Sequence, residues 1–165
     1  MEALTVIFER PRRLLALLAV ACLALLAFGL YLQHAVGLEP CPMCIVQRYL
    51  FILVALAAGV GAVLPAAATR WAAGLMALLS FTGAGVAARQ SWLQWFPPEV
   101  TTCGRDLFGM IESFPLKRVI PMVFRGSGDC SAVDWTFLGL TIANWSFLNF
   151  VLVAALGLAL LLRRS

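Results

Sequence analysis

Long apolar runs dominate the chain. Residues 14–32 carry no charge, and neither do residues 49–69 or 71–88; a last apolar run covers 144–162. A helix that crosses the hydrocarbon of a bilayer needs about 20 mostly apolar residues. Pro65 is expected to end the second run, because proline does not continue a helix interior. The pattern therefore predicts spans at about 14–32, 45–65, 71–89 and 144–162. The third run is rich in Gly and Ala, which suits close helix packing in lipid. The fold class expected is all-α: a four-transmembrane-helix bundle forming one membrane domain over 1–165.

Composition sharpens this reading. The 165 residues are 62% hydrophobic and 12% charged, with a mean hydropathy of +0.95. Soluble domains are about 45–50% apolar and about 25% charged, and a water-soluble fold of this size could not hide the excess apolar surface. The net charge of +4 comes from basic residues near the ends of apolar runs. No basic stripe interleaved with aromatics is present, so no nucleic-acid partner is expected.

Placement of those basic residues predicts orientation. Arg10, Arg12 and Arg13 precede the first span, Arg70 is expected in a tight turn between the second and third, and Arg163 and Arg164 follow the fourth. Four spans put these places on one side, expected to be the cytoplasm of a bacterial inner membrane. The outer, periplasmic side then carries loops at about 33–44 and 90–143. Arg105, Lys117, Arg118 and Arg125 in the long loop are tolerable, because long loops translocate largely regardless of charge. The Arg-rich start followed by Ala19-Val20-Ala21-Cys22 also resembles a cleavable signal peptide. The apolar run continues to Leu32, the length of a full span, which favours retention.

Chemistry concentrates in the outer segments. Cys41-Pro42-Met43-Cys44 stands just before the second span. Proline suits the first helical position, so Cys41 is expected to cap the helix, with Cys44 in its first turn. A helix N-terminus favours a thiolate. Arg48, four residues beyond Cys44, falls on the same face near the membrane surface. In the long loop, apolar residues from Phe114 to Phe124 interleave with Lys117 and Arg118, a pattern expected to form a short interfacial helix interrupted by Pro115 and Pro121. Gly126-Ser127-Gly128-Asp129 before Cys130 is a flexible run that could let Cys130 change partners.

Of five cysteines, four fall outside the cytoplasm on this topology, as the pairs Cys41/Cys44 and Cys103/Cys130. An oxidising compartment allows both to form disulfides. A closely spaced pair at a helix start is the redox-active arrangement. Two structural disulfides or a zinc site are the competing readings. Zinc would call for a second close pair, and a structural bridge needs no Cys-x-x-Cys against the membrane beside an arginine. Cys22 reads as a small core residue of the first span and His34 as an interfacial polar residue. Thiol–disulfide exchange moves two electrons per step between cysteine pairs. No haem or iron–sulfur motif is present, so the simplest acceptor is a lipid-soluble quinone, with Arg48 placed to stabilise negative charge on Cys44 and on that acceptor.

These residues resemble the DsbB family of bacterial inner-membrane thiol:quinone oxidoreductases. The resemblance is carried by Gln33-His34, by Pro40-Cys41-Pro42-Met43-Cys44 with Gln47-Arg48, and by Thr102-Cys103. It continues through Val123-Phe124, Ser127-Gly128-Asp129-Cys130 and Trp135-Thr136-Phe137-Leu138-Gly139-Leu140. It implies both termini in the cytoplasm and a partner of the DsbA type, a periplasmic thioredoxin-like oxidase. Cys103 would form the mixed disulfide with that partner, and Cys130 would then attack Cys41. Cys44 would remain as a thiolate beside Arg48 and a bound quinone, ubiquinone or menaquinone, able to form a charge-transfer adduct with it. The quinol would be reoxidised by the respiratory chain. Some members carry a histidine where Gln90 aligns here, which leaves the role of Gln90 open. A dedicated partner other than the general oxidase, or a non-catalytic scaffold with structural disulfides, is the alternative.

Overall fold

The computed structural model of the protein describes residues 11–97 and 129–162. Cys103, the segment expected to form the interfacial helix, the glycine run 126–128 and the arginines at 10, 163 and 164 lie outside the described residues. Four long helices dominate: α1 Pro11–His34, α2 Pro42–Val63, α3 Ala66–Trp95 and α4 Ile142–Leu162. Each is long and apolar enough to cross a membrane. Leu17, Val20 and Leu23 on α1 and Leu75, Leu78 and Phe81 on α3 face outward and exposed, as lipid-facing positions do. The protein is a multi-pass all-α membrane protein.

Each helix packs on the next in sequence, α1 on α2, α2 on α3 and α3 on α4. Small residues set the spacing, because without a hydrophobic drive between helices in lipid, close packing must supply the attraction. A Cβ on Gly61 of α2 would meet Ala72 Cβ at 2.6 Å and Leu15 Cδ1 at 3.0 Å. A Cβ on Gly157 of α4 would stand 3.0 Å from the Ala73 carbonyl oxygen. Gly83 of α3 leaves room for the Phe150 ring, which stacks on Phe51 of α2 with centroids 4.0 Å apart.

Pro65 does end the second helix. Leu64, held extended before the proline, closes α2 by donating its N–H to the Val60 carbonyl at 3.1 Å. Pro65 then caps α3, which starts at Ala66. The sequence places Arg70 in the turn, but because α3 begins directly after Pro65 it lies within that helix, and its Nε donates to the Leu161 carbonyl at 3.1 Å. Arg12 likewise donates to the Leu64 carbonyl at 2.9 Å. Both arginines thus satisfy end carbonyls that helix geometry leaves unpaired, and both stand at the same end of the bundle.

Helix α3 extends beyond the apolar run that predicted it, to Trp95. Arg89, which ends that run, is exposed, and the polar residues just beyond it, Gln90 and Ser91, are buried against the protein rather than turned to water. A two-stranded antiparallel hairpin, β1 Thr136–Phe137 with β2 Leu140–Thr141, precedes α4 and is not foreseen from the apolar pattern. Its turn places Leu138 and Gly139 at φ of 53° and 78°. Two successive positive φ values give the twist that two-residue hairpins favour, at a steric cost for leucine.

Candidate active site

The first turn of α2 holds the cysteine pair. Cys41 is the N-cap, and its sulfur accepts the Cys44 backbone N–H at 3.3 Å. Pro42 follows at a position where a missing N–H costs nothing. Both cysteines are free thiols, and the Cys41 Sγ–H donates to Cys44 Sγ at 3.0 Å. That hydrogen bond, with burial second to it, pushes the Cys41 thiol well above its ordinary range. Cys41 therefore keeps its proton, and Cys44 is the sulfur prepared to carry negative charge.

A buried amide from α3 faces the same sulfurs. Gln90 Nε2 donates to Cys44 Sγ at 3.1 Å and approaches Cys41 Sγ at 3.4 Å. Its Oε1 accepts from Gln47 Nε2 at 2.6 Å. Gln47 and Gln90 are each 3% exposed, so these bonds form where water does not compete, and an unmade partner would cost the full desolvation penalty.

Arg48, one turn along α2, is half-buried and donates to the Gln33 side-chain oxygen and to the Gly29 carbonyl, the latter at 3.2 Å. Both acceptors are neutral. They hold the guanidinium in place and leave its charge available to an anion.

Cys130 is disulfide-bonded and fully buried. It clusters with Cys41 and Met43. A tight turn holds it there: Asp129 Oδ1 accepts the Ser131 backbone N–H at 2.9 Å and the Ser131 hydroxyl at 2.8 Å, and Ala132 N–H reaches the Asp129 carbonyl at 3.2 Å. Gln94 fastens the turn to α3 by donating to the Ala132 carbonyl at 3.2 Å. The sequence suggests mobility before Cys130; the structure shows a turn tied at Asp129 and beyond.

These groups border one cavity of about 580 Å³ between α1, α2, the end of α3, the hairpin and the start of α4. Leu25, Phe28, Leu32, Phe51 and Trp145 supply apolar walls, and Cys44, Arg48 and Gln90 stand together among the polar lining. Trp135 and Phe137 close the hairpin side in a chain of rings from Phe28 to Trp145. The arrangement suits thiol exchange beside a bound flat apolar molecule with a polar edge.

Of the residues singled out in the sequence, Cys41, Cys44, Arg48 and Cys130 converge here, and Cys103 lies outside the described residues. Cys22 is a free thiol 1% exposed in the main core, apart from this cluster. His34 is exposed at the end of α1. Sequence reasoning gives no role to Gln33, Gln47, Gln90 or Gln94. The available signal is four uncharged amides at helix ends in a chain of such high hydropathy, since polar groups there need partners.

The chain is similar to known proteins over nearly its whole length. The family model described as Disulfide bond formation protein DsbB matches residues 11–160. Disulfide bond formation protein B of Polaromonas sp. (strain JS666) is 65% identical over 161 residues, covering 97% of this chain and 96% of the relative. The protein of the same name from Paracidovorax citrulli is 64% identical, over 93% and 88%, and that from Azoarcus sp. (strain BH72) 57%, over 94% and 95%. With a family model spanning nearly the whole chain and relatives this similar end to end, the protein belongs to the DsbB family and serves in disulfide bond formation.

Proposed function

We propose that the protein is a thiol:quinone oxidoreductase of the bacterial inner membrane, one membrane domain with both termini in the cytoplasm and its reactive cysteines in the periplasm. The observation that carries the reading is the Cys41/Cys44 pair set between the buried Cys130 and an apolar cavity edged by Arg48. Electrons enter at Cys103 and Cys130 from a soluble thioredoxin-like dithiol of the DsbA type. The partner's thiolate forms a mixed disulfide with Cys103, releasing Cys130. The Cys130 thiolate attacks Cys41, the Cys41–Cys44 bond breaks, and its electron pair leaves on Cys44.

A quinone suits the cavity: its walls are apolar, and its polar edge holds a cation and amide donors. Cys44 and Arg48 would hold the head group, with Phe51 and Trp145 beside it. A bound quinone supplies an acceptor for two electrons and two protons, so a dithiol becomes a disulfide as quinone becomes quinol. Arg48 would stabilise negative charge on Cys44 and on an acceptor held beside it. The orientation is supported by Arg12 and Arg70 at the end of the bundle opposite the cysteines.

The test is quinone reduction by the purified protein in detergent with a reduced periplasmic thiol oxidase as donor. Turnover by wild type and its loss in Cys44→Ser and Cys103→Ser is the expected result. No turnover by intact wild type with either ubiquinone or menaquinone would leave the scaffold reading in its place. Turnover with another periplasmic dithiol but not with the DsbA type would establish a dedicated partner.

A further inference from the structure

We propose that Gln90 is a catalytic hydrogen-bond donor that stabilises the negative charge arriving on Cys44 as the Cys41–Cys44 bond breaks, and that Gln47 is the positioning residue that aims it. The inference rests on the thiol-exchange reading above and adds two residues to it.

An amide has a donor end and an acceptor end. If Gln90 were turned over, its oxygen would face the sulfurs and repel a thiolate. Gln47 decides the orientation: its Nε2 donates to Gln90 Oε1 at 2.6 Å, so only the NH₂ of Gln90 is left to face Cys44 and Cys41. A flip would set two NH₂ groups against each other between side chains 3% exposed, stranding donors where no water replaces them.

The two N–H groups of that NH₂ match the two sulfurs, at 3.1 Å and 3.4 Å. When Cys130 attacks Cys41, the Cys130–Cys41 bond forms as the Cys41–Cys44 bond breaks. The electron pair then lands on Cys44, the nearer sulfur. When Cys44 attacks back, Cys130 leaves as the thiolate and the exchange reverses with no net change in electrons. Neither direction requires Gln90 to move, and a donor already aimed at the developing charge costs no reorganisation. Arg48 adds positive charge to the same cavity, but its hydrogen bonds go to Gln33 and Gly29. Direct side-chain donation to Cys44 Sγ comes from Gln90 and Cys41.

An amide also does not titrate. The titratable groups around the pair are Glu39, Arg48, Asp129 and Asp134, which line the cavity. Donation from Gln90 does not depend on a proton being gained or lost at the amide itself.

The test is iodoacetamide alkylation of Cys44 in the reduced full-length protein in detergent, followed against pH by peptide mass spectrometry. Gln90→Met keeps the volume and removes the donor. It should raise the alkylation midpoint by about one pH unit, a roughly tenfold loss of thiolate below the midpoint. Gln47→Met should move the midpoint the same way by less. Gln90→His should add a second inflection near pH ~6.5, where an imidazole gains its proton. A folded Gln90→Met protein, judged by circular dichroism, with an unchanged midpoint would overturn the proposal. Should that variant not fold, an unchanged profile in Gln47→Met would do the same. No quinone is present in the assay, so failure of wild type to reduce quinone removes the function proposed above and leaves this result standing.

Discussion

Gln94 joins the segment carrying Cys130 to the segment that opens α4: its Nε2 donates to the Ala132 carbonyl at 3.2 Å, and its Oε1 accepts the Thr141 hydroxyl at 2.7 Å. One side chain of α3 thus ties the turn that follows Cys130 to the residue just before α4. Replacing Gln94 by Leu removes both bonds and frees the turn. Exchange between Cys130 and Cys41 should slow by about tenfold, the order expected when reacting atoms lose their alignment. Rapid acid quench, with the Cys41–Cys130 species resolved by mass, measures it. Thr141→Val should slow it less, because the bond to Ala132 remains. A Gln94→Leu rate equal to wild type would separate the turn from this tether.

Arg48 is held by two neutral acceptors, Gln33 and the Gly29 carbonyl. Arg48→Ala should raise the KM for quinone by about tenfold or more, the loss of a charge-assisted bond. Gln33→Leu should raise it by a smaller factor, since the guanidinium stays but loses one of its two anchors. Steady-state quinone reduction at fixed dithiol donor distinguishes them. Arg48→Lys should not restore wild-type KM, because an ammonium lacks the planar fork that serves two acceptors and an anion at once.

Cys22 is buried among the α1 core residues and apart from the reactive pair. Cys22→Ala should keep full turnover and cost about 1 kcal/mol of stability or less, the scale of a small cavity. Activity and thermal unfolding in the same detergent test both halves. Lost turnover in a folded protein would give Cys22 a role in the electron path.

Gly83 leaves the space that Phe150 fills against Phe51. A methyl group there would collide with the ring, so Gly83→Ala should destabilise by about 1–3 kcal/mol, as overpacking does. Gly85, on the same helix, meets nothing within 4 Å, so Gly85→Ala is the control and should be neutral or slightly stabilising. Thermal unfolding of the two variants compares them directly.

At the turn of the hairpin, Leu138 holds φ of 53° and stands 78% exposed. Leu138→Gly should relieve about 1–2 kcal/mol of left-handed backbone cost. A higher unfolding midpoint with unchanged turnover is the expected outcome, and a lower one would show that the leucine side chain contributes more than its backbone costs.

Much of this protein is legible in its amino-acid sequence. Four spans follow from the length of apolar runs, because hydrocarbon thickness sets a minimum that few other contexts demand. Cys41 as helix cap and Cys44 in the first turn follow from Cys-Pro-x-Cys, because capping and proline placement are local rules acting within a turn. Arg48 falls beside them by helix period alone.

The partners of those residues are not legible there, because they come from other helices. Gln47 meets Gln90 from 43 positions away, and Gln94 reaches Thr141 across 47. Which face of each helix turns inward depends on rotation about its axis, and the apolar runs here are apolar nearly all round, so they fix length and leave rotation open. Small residues at Gly61, Gly83 and Gly157 resolve it by deciding where backbones can approach. Position 90 shows the consequence: read along the chain, Gln90 follows Arg89 and marks the end of a span. In three dimensions it is buried against two sulfurs, because tertiary packing supplies an amide and two thiols that outweigh the loss of water.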